Sequence, residues 1–296
     1  MIIPTSFLLE TKPFLHPYNS LQSTYPKHKE GTGGPSMDAI LELQKELKQI
    51  EQWEHSQKDL WFWEKLGRLP FQVLDKLTPK AVHRKLGQLL DELGSYIQSG
   101  GQYLVNEGKV LDKLGVSSLA EVPHLPLATM DRVCDELIDA RVTFAQLQGA
   151  ATGVGGALTL AVDIPALLGL ALKTLQEIAI VYGYDPKDKE ERVFVVKCLQ
   201  FAAADIVGKK AILDELSSFS HERGRVFSEL QGWREVMMTF RDQYGWKKLF
   251  QAVPIIGVIF GSLFNKSFME DIAETGKMLY RKRRIIEKLK QFEPGI

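Results

Sequence analysis

From Met37 onward, apolar residues return every third or fourth position, the spacing of one face of an α-helix. Ile40, Leu43, Leu47, Ile50 and Trp53 make the first such face, with polar residues at most positions between them and Asp38 placed to cap the start. Trp61, Trp63 and Leu66 extend it toward Gly67 and Pro70. Val82, Leu86, Leu89, Leu93 and Ile97 make a second face behind Thr78-Pro79, closed by Gly100-Gly101. Met130, Val133, Leu137, Val142 and Phe144 predict a further helix, and stretches at about 188–207, 209–221, 222–243 and 266–291 repeat the spacing. No sustained two-residue alternation bounded by hairpin turns interrupts them. The pattern predicts an all-α, multi-helix bundle.

Residues 1–36 break it. Five prolines (Pro4, Pro13, Pro17, Pro26, Pro35) and the Gly31–Gly34 cluster leave no helical period there, because proline at that density removes backbone donors and breaks helices. The segment also lacks the long apolar run and small-residue cleavage site of a secretory signal. It is expected to be a disordered or mis-annotated N-terminal extension, with Met37 as the natural start and 37–296 as one α-helical domain.

The most apolar stretch is Phe144–Leu172, whose only charge is Asp163. Gly149, Gly153 and Gly156 supply small residues at helix-packing spacing within it. Asp163-Ile164-Pro165 reads as helix punctuation, a capping carboxylate followed by a proline suited to a first turn. A glycine-rich apolar hairpin follows from that, one helix over about 128–161 and the next from Asp163 to about Tyr182, with Gly183 at its C-terminal cap. Leu249–Phe264 is similar in style, with Gly257, Gly261 and an internal Pro254. Two readings of these segments stay open, a hairpin buried in protein and one partly inserted in a membrane. A spanning helix needs roughly 20 apolar residues, and Thr152–Leu172 reaches that length only by including Asp163.

Composition narrows the function. The 37 Lys+Arg and 37 Asp+Glu balance to a formal net charge of zero, which argues against nucleic acid. Two cysteines, Cys134 and Cys198, make no disulfide framework. The glycines at 149–156 are not a phosphate loop, since no Lys-Ser/Thr closes them and no strand precedes. The six histidines are dispersed without metal-ligand spacing, so no metal or cofactor is expected, and no small-molecule substrate is identified. Neither is there a Gly-x-Ser-x-Gly elbow. Asp163 and Glu177 lie about 21 Å apart along one helix and are not a catalytic pair within it.

Charge is unevenly spread. Lys277, Arg281, Lys282, Arg283, Arg284, Lys288 and Lys290 stand against the single acid Glu287. With Ile272, Leu279 and Ile286 at heptad spacing, this reads either as a basic amphipathic helix for an anionic membrane surface or a partner, or as a solvated helix packed by its apolar stripe. The Lys277, Arg281–Arg284 cluster is the expected patch.

The segment GAATGVGGALTLAVDIPALLGLALKTLQEIAIVYGYDP (149–186), with Glu191-Arg192-Val193-Phe194-Val195 after it, resembles the core of EcsC family proteins. So does VPIIGVIFGSLFNKSFMEDIAETGKMLYRKR (253–283), and the resemblance covers about 37–291. It marks Asp163, Pro165, Glu177, Tyr182, Gly183, Asp271, Glu274, Lys277 and Arg281 as motif residues without known catalytic roles. It also implies a bacterial protein associated with an ABC transporter, with no established catalytic activity. The expected function is therefore an accessory or interaction protein at the cytoplasmic membrane face. The rival reading is an enzyme whose site is built from Asp163, Glu177, Tyr182 and the polar residues of 271–281.

Overall fold

The computed structural model describes residues 37–57, 95–100, 105–153, 160–203, 209, 212–213, 216 and 254–292. Helices expected at 61–66, across most of 82–97 and at 222–243, Gly156, and the segment 1–36 lie outside the described residues. The described elements are α1 (Met37–Ser56), α2 (Glu107–Leu114), a 3-10 turn (Leu119–His124), α3 (Leu127–Gly153), α4 (Leu160–Val181), α5 (Lys189–Ala203) and α6 (Pro254–Phe292). Among these residues there is no strand. The fold is all-α, and the helices belong to one compact unit, Pro35–Ile296.

α4 and α6 form its centre. From Leu167 to Tyr182 every α4 residue but Lys173 is buried, which is what a helix apolar on all sides requires. Its apolar surface is taken up by α2, α3, α5 and α6. From Leu167 on, the second helix of the glycine-rich hairpin is therefore buried by protein, and among the described residues no helix is long and apolar enough to cross a membrane. α6 packs most extensively on α3 and also touches α1, α4 and α5.

Two boundaries differ from expectation. α4 begins at Leu160, so Asp163 is its fourth residue and not its cap, and Pro165 is its sixth. A proline there forfeits one helical bond, to the carbonyl of residue 161, a loss that the packing of the following turns outweighs. Pro254 opens α6 and does not interrupt it; the missing N–H of the first helical residue has no intrahelical partner to lose. The apolar run and the basic run thus form one 39-residue helix. Phe144, expected on the buried face of α3, is 55% exposed, and Leu147 one turn on is 65% exposed. The inward stripe of α3 runs instead through Met130, Val133, Cys134, Leu137, Val142 and Ala145.

Of the glycines expected to pack helices, Gly149 is buried on α3, Gly153 ends α3, and Gly257 and Gly261 lie in the first turns of α6. The close approach that the structure resolves is at Gly276, in mid-α6. A Cβ there would lie 2.5 Å from Leu175 Cδ2 and 3.2 Å from Ile178 Cδ1, both on α4 and both buried. Alanine adds about 1 kcal/mol of helix propensity, but overpacking a dense core costs about 1–3 kcal/mol. Gly276→Ala is expected to lower the thermal midpoint, and Leu175→Val in the same chain to recover part of the loss, since valine lacks the opposing methyl. A higher midpoint for the single variant would refute the packing argument.

The pairings fix direction. Asp131 meets Arg281 and Asp135 meets Lys277, so α3 and α6 run antiparallel. Gly276 lies against Leu175 and Ile178 and Arg284 reaches the carbonyls of Tyr182 and Gly183, so α4 and α6 run parallel. The C-terminal end of α3 and the N-terminal ends of α4 and α6 thus gather at one end of the bundle. Asp163 is the single charge in the sequence of 144–172, and 249–264 holds none. The basic cluster belongs to the other end.

Candidate functional site

The polar groups that distinguish this chain lie along α6, between it and the helices around it. Lys277, Arg281, Arg284 and Lys288 recur at four, three and four residues, a single helix face. Lys277 and Arg281 match Asp135 and Asp131, themselves four apart on antiparallel α3, giving two rungs of a ladder.

Arg281 is the hub. Its Nε donates to both oxygens of Asp131 at 3.0 Å, and its Nη2 donates to Glu46 Oε2 on α1 at 2.7 Å. The Tyr182 hydroxyl, fully buried at the end of α4, donates to Asp131 Oδ1 at 2.7 Å. Burial alone would lower the Arg281 pKa; Asp131, Tyr182 and Glu46 outweigh it and hold the guanidinium charged. Burial foremost, then the Asp131 charge, pushes the Tyr182 hydroxyl well up, so it stays a neutral donor.

The neighbouring cations are equally engaged. Lys282 donates to both oxygens of Glu54 on α1 at 2.8 Å. Arg283 makes a fork to Glu191 on α5 at 2.8 and 2.6 Å. Its guanidinium lies 4.0 Å from the Tyr184 ring centroid and 4.2 Å from that of Phe194. Arg284 donates to the Tyr182 and Gly183 carbonyls at the end of α4, and to Glu287. Lys288 donates to the carbonyls of Pro123 and Leu125, and burial, then Arg284, lowers its pKa. Away from α6, Arg192 closes the short helical segment 95–99 through the Ile97 and Gln98 carbonyls.

The expected patch is therefore not a solvent-facing one. Side chains of Lys277, Arg281, Lys282, Arg283 and Arg284 are only 4%, 8%, 25%, 17% and 4% exposed, and acids or backbone carbonyls take up their donors. α6 lies inside the bundle, so its cations meet protein carboxylates before water. The other expected residues spread along the same helices. Glu177 accepts a fork from Arg141 of α3, while Glu274 accepts from the Trp53 indole at 3.1 Å. Asp271 faces outward on α6, and Asp163 and Pro165 lie in the first turns of α4. Tyr182 and Arg281 meet through Asp131; Glu177 is committed elsewhere. Sequence reasoning missed Glu46, Glu54, Asp131, Asp135 and Arg141, and met Glu191 only within the family-like segment. The matched four-residue spacing of Asp131-Asp135 and Lys277-Arg281 was the available signal.

The EcsC protein family model matches residues 44–285. The chain belongs to the EcsC family. It is 54% identical to the uncharacterized protein YdbA of Bacillus subtilis (strain 168) over 261 residues, covering 85% of this chain and 96% of that one. To Protein EcsC of the same organism it is 24% identical over 230 residues, 78% of this chain and 90% of that protein. No solved structure matches it. Every residue of the α6 network from Glu46 to Arg284 falls inside the span that the EcsC model matches.

Among the described residues of this EcsC protein, no group of three or more His, Cys, Asp or Glu is placed to hold a metal ion. Cys134 and Cys198 are fully buried, and burial, more than any neighbouring charge, pushes both thiols up. A thiol reagent at pH 8 is expected to label neither cysteine in the native chain and both in denaturant. Stoichiometric labelling of either without denaturant would place a thiol at the surface.

Proposed function

We propose that this EcsC protein is a non-catalytic accessory protein that works by interaction, associated with an ABC transporter at the cytoplasmic face of the membrane. The observation that carries the non-catalytic reading is the commitment of its charged side chains. Glu177, Asp131, Glu191, Lys277 and Arg281, the groups an enzyme would need free, are each engaged with an oppositely charged partner. General acid–base catalysis needs a group within reach of substrate and able to exchange a proton with it; groups locked in pairs between helices serve to fix helices. The non-catalytic reading is favoured over the rival enzyme reading because Glu177 pairs with Arg141 while Tyr182 and Arg281 meet at Asp131. The membrane-face part draws on the family resemblance and on the apolar character of 144–172 and 249–264, where Asp163 is the single charge.

Affinity purification of the full chain from cells with membrane retained is the test. Recovery of an ABC transporter's membrane and ATPase subunits, in amounts that survive a high-salt wash, is the expected result. Their repeated absence, with the bait recovered intact, would overturn the association.

A further inference from the structure

α1 is seated unlike the other long helices. Of its 20 residues only Ile50 is fully buried, whereas α4 is buried at nearly every described position from Leu167 on. Leu43, Leu47 and Trp53 pack partly buried beside Ile50, and the Trp53 ring lies 5.8 Å from that of Phe201. Polar ties also join it to α6. Glu46 meets Arg281, Glu54 meets Lys282, and the Trp53 indole donates to Glu274. Both acids are on α1 and both cations are on α6. Arg281 keeps its second acid, Asp131, without α1; Lys282 draws its carboxylate from α1.

We propose that the α1-facing side of α6 is a docking seat for an acidic amphipathic helix of a partner protein, and that α1 occupies it in the free protein as a displaceable stand-in. This rests on the interaction reading above and supplies the chemistry of the partner. The bound helix is the template for its replacement, with two carboxylates eight residues apart alongside a Leu-Leu-Ile-Trp stripe at three- and four-residue spacing. Displacement is inexpensive for two reasons. Ile50 is the one fully buried α1 side chain that leaves the core, its stripe neighbours being only partly buried, and ion pairs between partly buried groups contribute little net free energy once desolvation is counted. A helix held this way opens locally before the bundle unfolds. Its departure frees Lys282, half of the Arg281 fork and Glu274, so an acidic partner gains what α1 gives up. The basic cluster then serves recognition while covered at rest.

The experiment uses the full chain and a fluorescent peptide of residues 37–57. Tethered α1 competes at an effective concentration of ~1 mM, so the wild-type chain is expected to bind the peptide weakly. Glu46→Lys/Glu54→Lys weakens the tethered helix, and the folded variant is expected to bind the peptide at least ~10-fold more tightly. Adding Lys282→Glu, or using a peptide that carries the same two lysines, is expected to abolish the gain. Should the lysine variant misfold, Glu46→Gln/Glu54→Gln is the milder form with the same expected direction. Hydrogen exchange on the unaltered chain needs no variant, and α1 amides are expected to exchange faster than those of α3 and the middle of α6. The proposal fails if a folded variant binds the peptide no better than wild type, or if α1 amides exchange only on global unfolding. Binding of the variant to phosphatidylglycerol vesicles in place of the peptide overturns it in favour of an anionic membrane. Absence of transporter subunits in the purification described above leaves this binding result unaffected, so the two failures are distinguishable.

Discussion

Replacing Arg281 by methionine is expected to lower the unfolding free energy by about 3–5 kcal/mol, the cost of stripping a buried ion cluster of its cation. Asp131 and Glu46, 17% and 19% exposed, would face each other without the guanidinium that separates them, and Tyr182 would still donate to Asp131. Methionine keeps most of the side-chain volume, so the loss reports charge and not a cavity. The matching control is Arg132, 59% exposed and paired with Glu136 one turn along α3. Arg132→Met is expected to cost under about 1 kcal/mol, as exposed helix pairs do. Urea midpoints of the two variants decide the matter. Asp131→Asn and Glu46→Gln added to Arg281→Met should restore most of the loss, because they remove the stranded charges. If the Arg281 and Arg132 variants unfold together, the cluster is solvated and the hub reading is wrong.

That contrast also shows where the sequence stops being informative. Helical periodicity is a local signal, and it placed α1 and α3 and gave the family of helices its all-α character. Gly183 was legible as a helix end for the same reason, since the stop signal sits within the stop. The direction in which the α6 cations point is a different kind of fact. Arg281 finds its acids 150 and 235 residues away, Lys282 at 228, Lys277 at 142 and Arg283 at 92. A run of seven basic residues has the same composition whether it faces lipid, solvent or a wall of carboxylates, and only the fold chooses. The apolar stripe was the misleading part. Ile272, Leu279 and Ile286 suggested a helix packed on one side, whereas α6 is buried at every residue from Thr275 to Arg281. A central helix surrounded by neighbours must bury its polar face too, and does so by meeting its cations with carboxylates and backbone carbonyls. Phe144 failed in the opposite sense, an apolar residue on the expected inward face that the register of α3 turns outward.

Gly183→Ala is the second large effect expected, about 3 kcal/mol or more, and its origin separates cleanly into two parts. Gly183 has φ +81° and ends α4 in a double-bonded cap, its N–H donating to the Ile180 carbonyl and the Tyr184 N–H to that of Ala179, both at 2.9 Å. An L-residue in that left-handed region costs about 1–2 kcal/mol. The second part is contact. A Cβ on Gly183 would lie 2.8 Å from Arg284 Nη2 and 3.2 Å from Pro123 Cδ. The guanidinium has no easy retreat, being 4% exposed, bonded to the Tyr182 carbonyl and to Glu287, and 4.7 Å from the Tyr184 ring centroid. Displacing it loses a hydrogen bond to a charged group, about 1.5–3 kcal/mol. Gly115 isolates the first part, for it ends α2 at φ +73° with nothing within 4 Å of an added Cβ. Gly115→Ala is expected to show the conformational cost alone. In a double-mutant cycle, Gly183→Ala with Arg284→Met should be less destabilised than the sum of the single variants, since the side chain in the way has been removed. Equal costs at Gly115 and Gly183, or strict additivity in the cycle, would mean that Arg284 yields freely and does not clamp the end of α4.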